Sequence, residues 1–381
     1  MHNLDLIRIL GQETTRQMDS NNFIASENYS SDVVKYFCGS AFTNKYAEGY
    51  PGKRYYNGCG NFDELENLGI DLVTKLYGCN FANIQPHSGA NANLAIYKAF
   101  LNPGDTTLGM DLSAGGHLSH GSLANLSGKW FDNHFYGVGS DGFLDYDDIL
   151  EKAKEVQPKL LIAGASAYPR QIDFKKFREI ADEMGAYLLV DMAHYSGLVA
   201  AEAYFSPLPY ADFVTSTTHK TLRGARGGMI LWNHEKYTKK INSGIFPGTQ
   251  GGPLMNQVAG KVQTFHEALQ PKFKDYINNV IDMSKLMASE FRASGIHIVT
   301  GGTDSHIILI STGKKSGKDV ADELETKHNI VVNKNSLPND ERGVWETSGI
   351  RLGTAAMTTK RGFDEGYFTE IARTVIRTIK G

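Results

Sequence analysis

Cysteine is scarce. Cys38, Cys59 and Cys79 are the three in 381 residues, an odd number with no CxxC pair, which excludes a disulfide framework and a thiolate zinc site and fits a reducing compartment. Proline is also sparse at 11, and with apolar residues at 41% and charged residues at 21% the chain is neither collagen-like nor mostly disordered. No run comes near the roughly 18 consecutive apolar residues of a membrane helix, and the start, Met1-His2-Asn3-Leu4-Asp5, lacks a basic and an apolar leader region. The sequence therefore reads as a soluble cytoplasmic protein. Neither sign of charge dominates: 39 basic and 42 acidic residues leave −3, which gives no drive toward nucleic acid or a membrane surface. Glycine is what the chain has in excess. Its 40 glycines fall in clusters, so backbone is brought close to something in several places.

At roughly 150 residues per domain, the length predicts two or three domains, or one large domain carrying a smaller one. Apolar runs at 160–165, 187–190, 213–216 and 229–232 predict strands, and 174–184 predicts a crossover helix with Phe174, Phe177, Ile180 and Ala181 on one face. This is the grammar of a mostly parallel sheet covered by helices. Past Pro271 come a charged helical stretch, strands at 296–299 and 307–310, a helix near 319–327 and a closing helix with Phe368, Ile371, Val375 and Ile379 on one stripe. The expected division is an N-terminal arm over 1–40, a large α/β domain over 41–270 and a small α+β domain over 271–381.

The segment VTSTTHKTLRGARGG, 214–228, delivers His219 and Lys220 from a strand end into a glycine-rich loop. A partly desolvated lysine beside Arg223 and Arg226 is held toward its neutral, imine-forming state, although a solvated loop lysine has the same letters. LVDMAHYSGLVAA, 189–201, runs an apolar strand into Asp191 at its C-terminal end, where ligands of open α/β sheets gather. That carboxylate either keeps a heterocyclic nitrogen protonated or caps the next turn. Ser88, Gly89 and Ala90 precede a helix whose Ala92, Ala95, Ile96, Ala99 and Phe100 form an apolar face, so the helix start either offers free amides to a phosphate or is a plain Ser-Gly N-cap. The cluster FPGTQGGP, 246–253, offers more amides or a plain turn. Lysine, acid, phosphate cradle and a histidine to cover a ring together describe one cofactor.

With IASENY at 24–29, NKYAEGYPGKRYY at 44–56, QPHSG at 85–89, GGHLSHG at 115–121, VDMAH at 190–194, TTHKTLRG at 217–224, GGPLM at 251–255, NKNSLPND at 333–340 and TSGIR at 347–351, the chain resembles the serine hydroxymethyltransferase family from about 23 to 361. The resemblance implies the aspartate aminotransferase-like fold type I of pyridoxal-phosphate enzymes. It implies reversible conversion of L-serine and tetrahydrofolate to glycine and 5,10-methylenetetrahydrofolate. By the same resemblance Lys220 is the lysine that condenses with pyridoxal 5'-phosphate, Asp191 the partner of the pyridinium nitrogen and His117 the residue stacked on the ring. Ser166 and His194 contact the ring hydroxyl. Ser88, Gly89, Ala90, Gly251 and Gly252 hold the phosphate, Gly252 from a neighbouring subunit, and Ser26, Tyr46, His219 and Arg226 complete the cofactor site. Thr217 and His219 join the catalytic set. Glu48 is implied as the proton-handling carboxylate, reaching with Tyr46 and Tyr56 from the other subunit of a homodimer, with a tetramer left open. Arg351 grips the substrate carboxylate beside Ser26 and Tyr56, and Leu112, Gly116, His117, Leu118 and Asn335 line the tetrahydrofolate site. No metal is implied.

Arg351 also makes sense on its residue type, because a guanidinium in the apolar run 350–352 binds a carboxylate by two parallel hydrogen bonds; pairing with an internal acid is the other reading. Tyr55 and Tyr56 read equally as core aromatics. Ala90 stands where many members of the family carry serine, Ala225 replaces a usual proline, and the chain reads as shorter than typical members with a different arm before Phe23. Two rival functions stay open at this point besides a catalytically silent scaffold. One is a folate-independent pyridoxal aldolase acting on threonine-like or α-methyl amino acids. The other is a metal-dependent hydrolase built on His117, His120, Asp191 and His194.

Overall fold

The computed structural model describes residues 2–381; Met1, the first residue of the expected arm, lies outside them. Seven strands form the central sheet: β1 (Phe81–Asn83), β2 (Thr106–Met110), β3 (Asp132–Tyr136), β4 (Leu160–Ala163), β5 (Tyr187–Asp191), β6 (Phe213–Thr217) and β7 (Gly228–Trp232). Across the sheet they run β1-β7-β6-β5-β4-β2-β3, parallel except for β7, which is antiparallel to both neighbours. The inner strands are buried without alternation, with Leu160, Leu161, Leu188, Leu189, Phe213 and Val214 and also the polar Thr215, Ser216 and Thr217 of β6 all inside, as a sheet covered on both faces requires.

The crossover helix Phe174–Met184 has the expected bounds, and local chemistry sets them. Asp173 accepts from the amides of Lys175 and Lys176 at its start, and Gly185 ends it in the left-handed conformation. Phe174, Phe177, Ile180 and Ala181 form its buried face. The helix Gly89–Phe100 starts two residues earlier than expected: Gly89 and Ala90 are inside it, because Ser88 is the cap and its Oγ accepts from the Asn91 amide.

A second sheet, β8 (Ile307–Ser311), β9 (Asn333–Asn335) and β10 (Gly349–Gly353), is antiparallel in the order β8-β10-β9. Helices Gly317–His328 and Glu365–Lys380 pack with it, the latter through buried Phe368, Ile371 and Val375. Phe23 belongs to this core, and Asn21–Asn22 pairs in parallel with Ile330–Val331, so the arm is stitched to the C-terminal layer. The expected strand at 296–299 does not form. Ile298 makes one isolated bridge to Ile310, and the chain then turns through Thr300 at φ 63. Arg170 fixes that turn from another part of the sequence, its Nε donating to Thr300 Oγ1 at 3.0 Å and its Nη2 to the Thr300 carbonyl at 2.6 Å. Among the described residues no helix is long and apolar enough to cross a membrane.

Candidate active site

A cleft of about 870 Å³ opens between the two layers, at the carboxyl ends of β5 and β6. Asp191 ends β5 and pairs in register with Thr215 of β6; the chain leaves β6 at Thr217 and reaches Lys220 three residues later. Both acid and amine are thereby delivered to one edge. Lys220 is 8% exposed, and burial lowers its pKa to about 8, against the pull of Asp191 and with help from Arg351 and Arg226. Arg223, expected to share in this, lies instead over the Tyr276 ring, 4.4 Å from its centre. Asn28 of the IASENY segment fixes the backbone here: its Nδ2 donates to the Lys220 carbonyl at 2.9 Å, while its Oδ1 accepts from Thr359 at 2.8 Å.

Asp191 Oδ2 accepts from Asn93 Nδ2 at 2.8 Å and meets His120 Nε2 at 3.0 Å, and its Oδ1 accepts from the Ala193 amide at 3.0 Å. Burial alone would raise the carboxyl's pKa, but the His120 contact and charge, His117 and Asn93 together hold it well below the usual carboxylate range. The site thus contains a buried anion beside a reluctant cation. His117 lines the same wall with Nδ1 2.7 Å from Ser119 Oγ, and burial lowers its pKa to about 4, leaving a neutral imidazole at pH 7. His219 is likewise driven to about 3 by burial and the neighbouring Arg226 and Lys220. Its Nδ1 accepts from the Gly227 amide at 3.4 Å.

The start of the helix Gly89–Phe100 faces the cleft, with Ser88, Gly89 and Ala90 in its lining. The amides of Gly89 and Ala90 have no acceptor within their own helix, which is the arrangement that binds anions. Arg226 adds a charge at the rim, and Thr217 contributes lining below it. On the opposite wall Arg351 of β10 donates through Nη1 to the Ser166 carbonyl at 2.6 Å and through Nη2 to Asn333 Oδ1 at 2.9 Å. Its buried Nε has no partner, and among the described residues it forms no ion pair, so the internal-acid reading of this arginine falls. Ser26, Ser166 and His194 complete the floor; His194 stacks on His306 with ring centres 5.6 Å apart, and burial drives its pKa well down. Leu112, Gly116, Leu118 and Asn335 line the outer end.

Five candidates are not in this cleft. Tyr46, Glu48, Tyr56, Gly251 and Gly252 gather on a separate surface: Tyr46 and Tyr56 have ring centres 5.5 Å apart, and a Cβ on Gly252 would lie 3.0 Å from the Tyr46 ring and on Gly251 3.5 Å from Glu48 Oε1. Tyr55 is 76% and Tyr56 45% exposed, so neither is the core aromatic that residue type alone allows. Arg54, which sequence reasoning passed over, holds the loop beneath Glu48. Its Nη1 donates to the carbonyls of Ala47 at 2.8 Å and Gly49 at 3.0 Å, its Nη2 to buried Glu66 at 2.6 Å and its Nε to Asp63 at 2.8 Å.

Asn93 was also missed, although a polar residue set among Ala92, Ala95 and Ile96 on a buried helix face is itself a signal. Of the metal-ligand quartet, His117, His120 and Asp191 come within 4.8 Å of one another, but His194 turns to His306 instead.

The description serine hydroxymethyltransferase belongs to the family model that matches residues 1–375. Curated relatives carry the same name. The protein of Rhodospirillum centenum is 53% identical over 379 residues, 99% of this chain and 88% of its own. That of Wolbachia pipientis wMel is 53% identical over 380 residues, 99% and 89%. That of Lactobacillus johnsonii is 54% identical over 371 residues, 96% and 90%. With the family model spanning both layers of the fold and the cleft between them, the chain belongs to the serine hydroxymethyltransferase family.

Proposed function

We propose that this chain transfers the hydroxymethyl group of L-serine reversibly to tetrahydrofolate, yielding glycine and 5,10-methylenetetrahydrofolate, and that the cleft residues divide the work as follows. Enzymes of the family use pyridoxal 5'-phosphate, with tetrahydrofolate as co-substrate. The observation that carries the reading is one cleft holding a buried amine of lowered pKa, a buried carboxylate held ionised and a guanidinium without an acid partner. These residues fit the cofactor: open amides at Gly89 and Ala90 suit its phosphate, and the Arg351 Nε left bare suits a substrate carboxylate. When bound, pyridoxal phosphate supplies an aldehyde for amines and a protonated ring nitrogen that draws electrons from a bond broken at the amino acid's Cα.

Lys220 is the amine that would hold the group through its aldehyde carbon. Asp191, kept anionic by Asn93 and His120, favours the proton on the ring nitrogen. His117, neutral and held by Ser119, would cover the ring, and Arg351 would orient the amino acid through its carboxylate. Ser166 and His194 serve the ring hydroxyl, with Ser26, Thr217 and His219 around it. Leu112, Gly116, Leu118 and Asn335 serve the pteridine. Asp191→Asn, which keeps size and removes charge, is expected to lower kcat by about 10²-fold or more while the cofactor's absorbance persists; steady-state kinetics and a spectrum of the same sample check it.

Glu48, Tyr46, Tyr56, Gly251 and Gly252 are assigned to the cleft of a second copy, in a homodimer. Exposed Leu6, Ile7 and Leu10 on the helix His2–Asp19 and the exposed tyrosines support that assembly. Mixing Lys220→Ala with Glu48→Gln protein, each nearly inactive, is expected to restore about a quarter of wild-type activity after random subunit exchange; activity that stays at the level of the parents refutes shared sites. Arg54→Met, which frees the Ala47 and Gly49 carbonyls, is expected to lower kcat about tenfold through Glu48 while leaving cofactor affinity near wild type, measured by turnover and cofactor titration.

We place the boundary of the small domain inside the helix Pro271–Ala293, because Phe273 and Ile277 pack with the central sheet and Met287 and Phe291 with the second. The three free cysteines support a cytoplasmic setting. The reaction itself is tested by serine cleavage with and without tetrahydrofolate. Strong dependence on the folate is expected, whereas equal rates without it indicate the folate-independent aldolase.

A further inference from the structure

We propose that Lys261, outside the cleft, is a positioning residue for the cofactor's phosphate cradle, tying the chain that leads into the helix Gly89–Phe100 to the chain that leaves the Lys220 loop. The inference rests on the functional reading above.

Lys261 lies on the helix Met255–Ala268 and is 1% exposed. Its Nζ donates to the carbonyls of Ile84 at 2.8 Å, Pro86 at 2.9 Å and Gly228 at 3.0 Å. An ammonium has three donors, and all three are used on backbone. Burial pulls its pKa to about 7 and Glu66 and Cys38 pull it back up, while three acceptors for three N–H groups fit the charged form. Among the described residues it makes no ion pair and does not line the cleft. A lysine buried at this cost is kept for what its hydrogen bonds hold.

They hold the two strands of backbone that frame the anion site. Pro86 is two residues before Ser88, and Gly228 is two residues after Arg226. The same two segments meet directly, the Gly228 amide donating to the Pro86 carbonyl at 3.0 Å. Glycine is required at both 227 and 228: a Cβ on Gly228 would strike the Ser88 carbonyl, and one on Gly227 would strike the Lys261 side chain. Gln250 supports the junction from the other side, accepting from the His87 amide at 3.2 Å and donating to the Gln85 carbonyl at 2.9 Å. Without Lys261, the Ile84, Pro86 and Gly228 carbonyls lose its three N–H groups, Pro86 keeps the Gly228 amide as the one direct tie between the two segments, and the spacing between the Gly89 and Ala90 amides and Arg226 is less firmly held.

The test compares pyridoxal 5'-phosphate with pyridoxal, which keeps the aldehyde and ring and lacks the phosphate, in titrations of apoprotein followed by absorbance and protein fluorescence. Wild type is expected to prefer the phosphorylated form strongly. In Lys261→Met that preference is expected to fall at least tenfold or so, with pyridoxal affinity little changed. Lys261→Gln, which retains two N–H donors without the charge, is expected to fall between them, and it carries the comparison if the methionine variant does not fold. Equal weakening of both ligands, or an unchanged preference with lowered Tm, overturns the proposal and leaves Lys261 a general stabiliser. Wild-type protein that binds neither form with Lys220 overturns the functional reading itself.

Discussion

Lys220→Ala is expected to lower serine turnover by about 10⁴-fold and to yield protein without the absorbance of a lysine-bound cofactor. The same substitution is expected to leave thermal stability unharmed at pH 7. Burial disfavours the ammonium, so the folded chain holds this proton less tightly than the unfolded chain, at about 8 against an ordinary 10.5. Below about 8 the buried charge is a cost to folding, and the cost vanishes as the pH rises through that window. Reactivity has the matching sign. The neutral amine is the nucleophile, so capture of the cofactor by apoprotein is expected to accelerate up to about pH 8 and then level off. An unperturbed lysine would keep accelerating toward 10.5; stopped-flow absorbance across pH distinguishes the two.

Arg351 carries the second large effect. Arg351→Ala is expected to raise KM for serine by about 10³-fold, and Arg351→Lys by about 10²-fold. The guanidinium is already aimed by Ser166 and Asn333, so its remaining donors are presented as a fork with no reorganisation. Lysine restores the charge and not the fork. Steady-state kinetics with serine, and glycine binding by absorbance titration, measure the same loss without and with turnover.

How much of this was legible depended on whether the determinant was local. The strands β4 to β7 each contain a short apolar run, and the helix Phe174–Met184 carries its own cap in Asp173 and its own stop in Gly185, so these could be read directly. The outer strands could not: Asp132–Tyr136, with the sequence DNHFY, is polar and half exposed, and its pairing with Thr106–Met110 is what makes it a strand. The turn at Thr300 was misread because Arg170, 130 residues away, determines it. In the site, residues inside glycine-rich motifs were visible as chemistry. Their supports were not: Asn28, Asn93, Arg54 and Lys261 are polar side chains whose purpose appears when burial and partners are known.

The exposed surface around Tyr46 has the same lesson at larger scale. The Ala47 and Gly49 carbonyls on either side of Glu48 are both held by Arg54, yet Glu48 does not line its own chain's cleft. The proposed second copy would use Glu48 there, and the subunit-mixing experiment tests that assignment.

The central claim is tested most directly by treating the cofactor-loaded protein with borohydride, digesting it and mapping the modified peptide by mass. A single reduced pyridoxyl adduct on Lys220 is the predicted result. An unmodified Lys220, or an adduct on another lysine such as Lys261, contradicts the account.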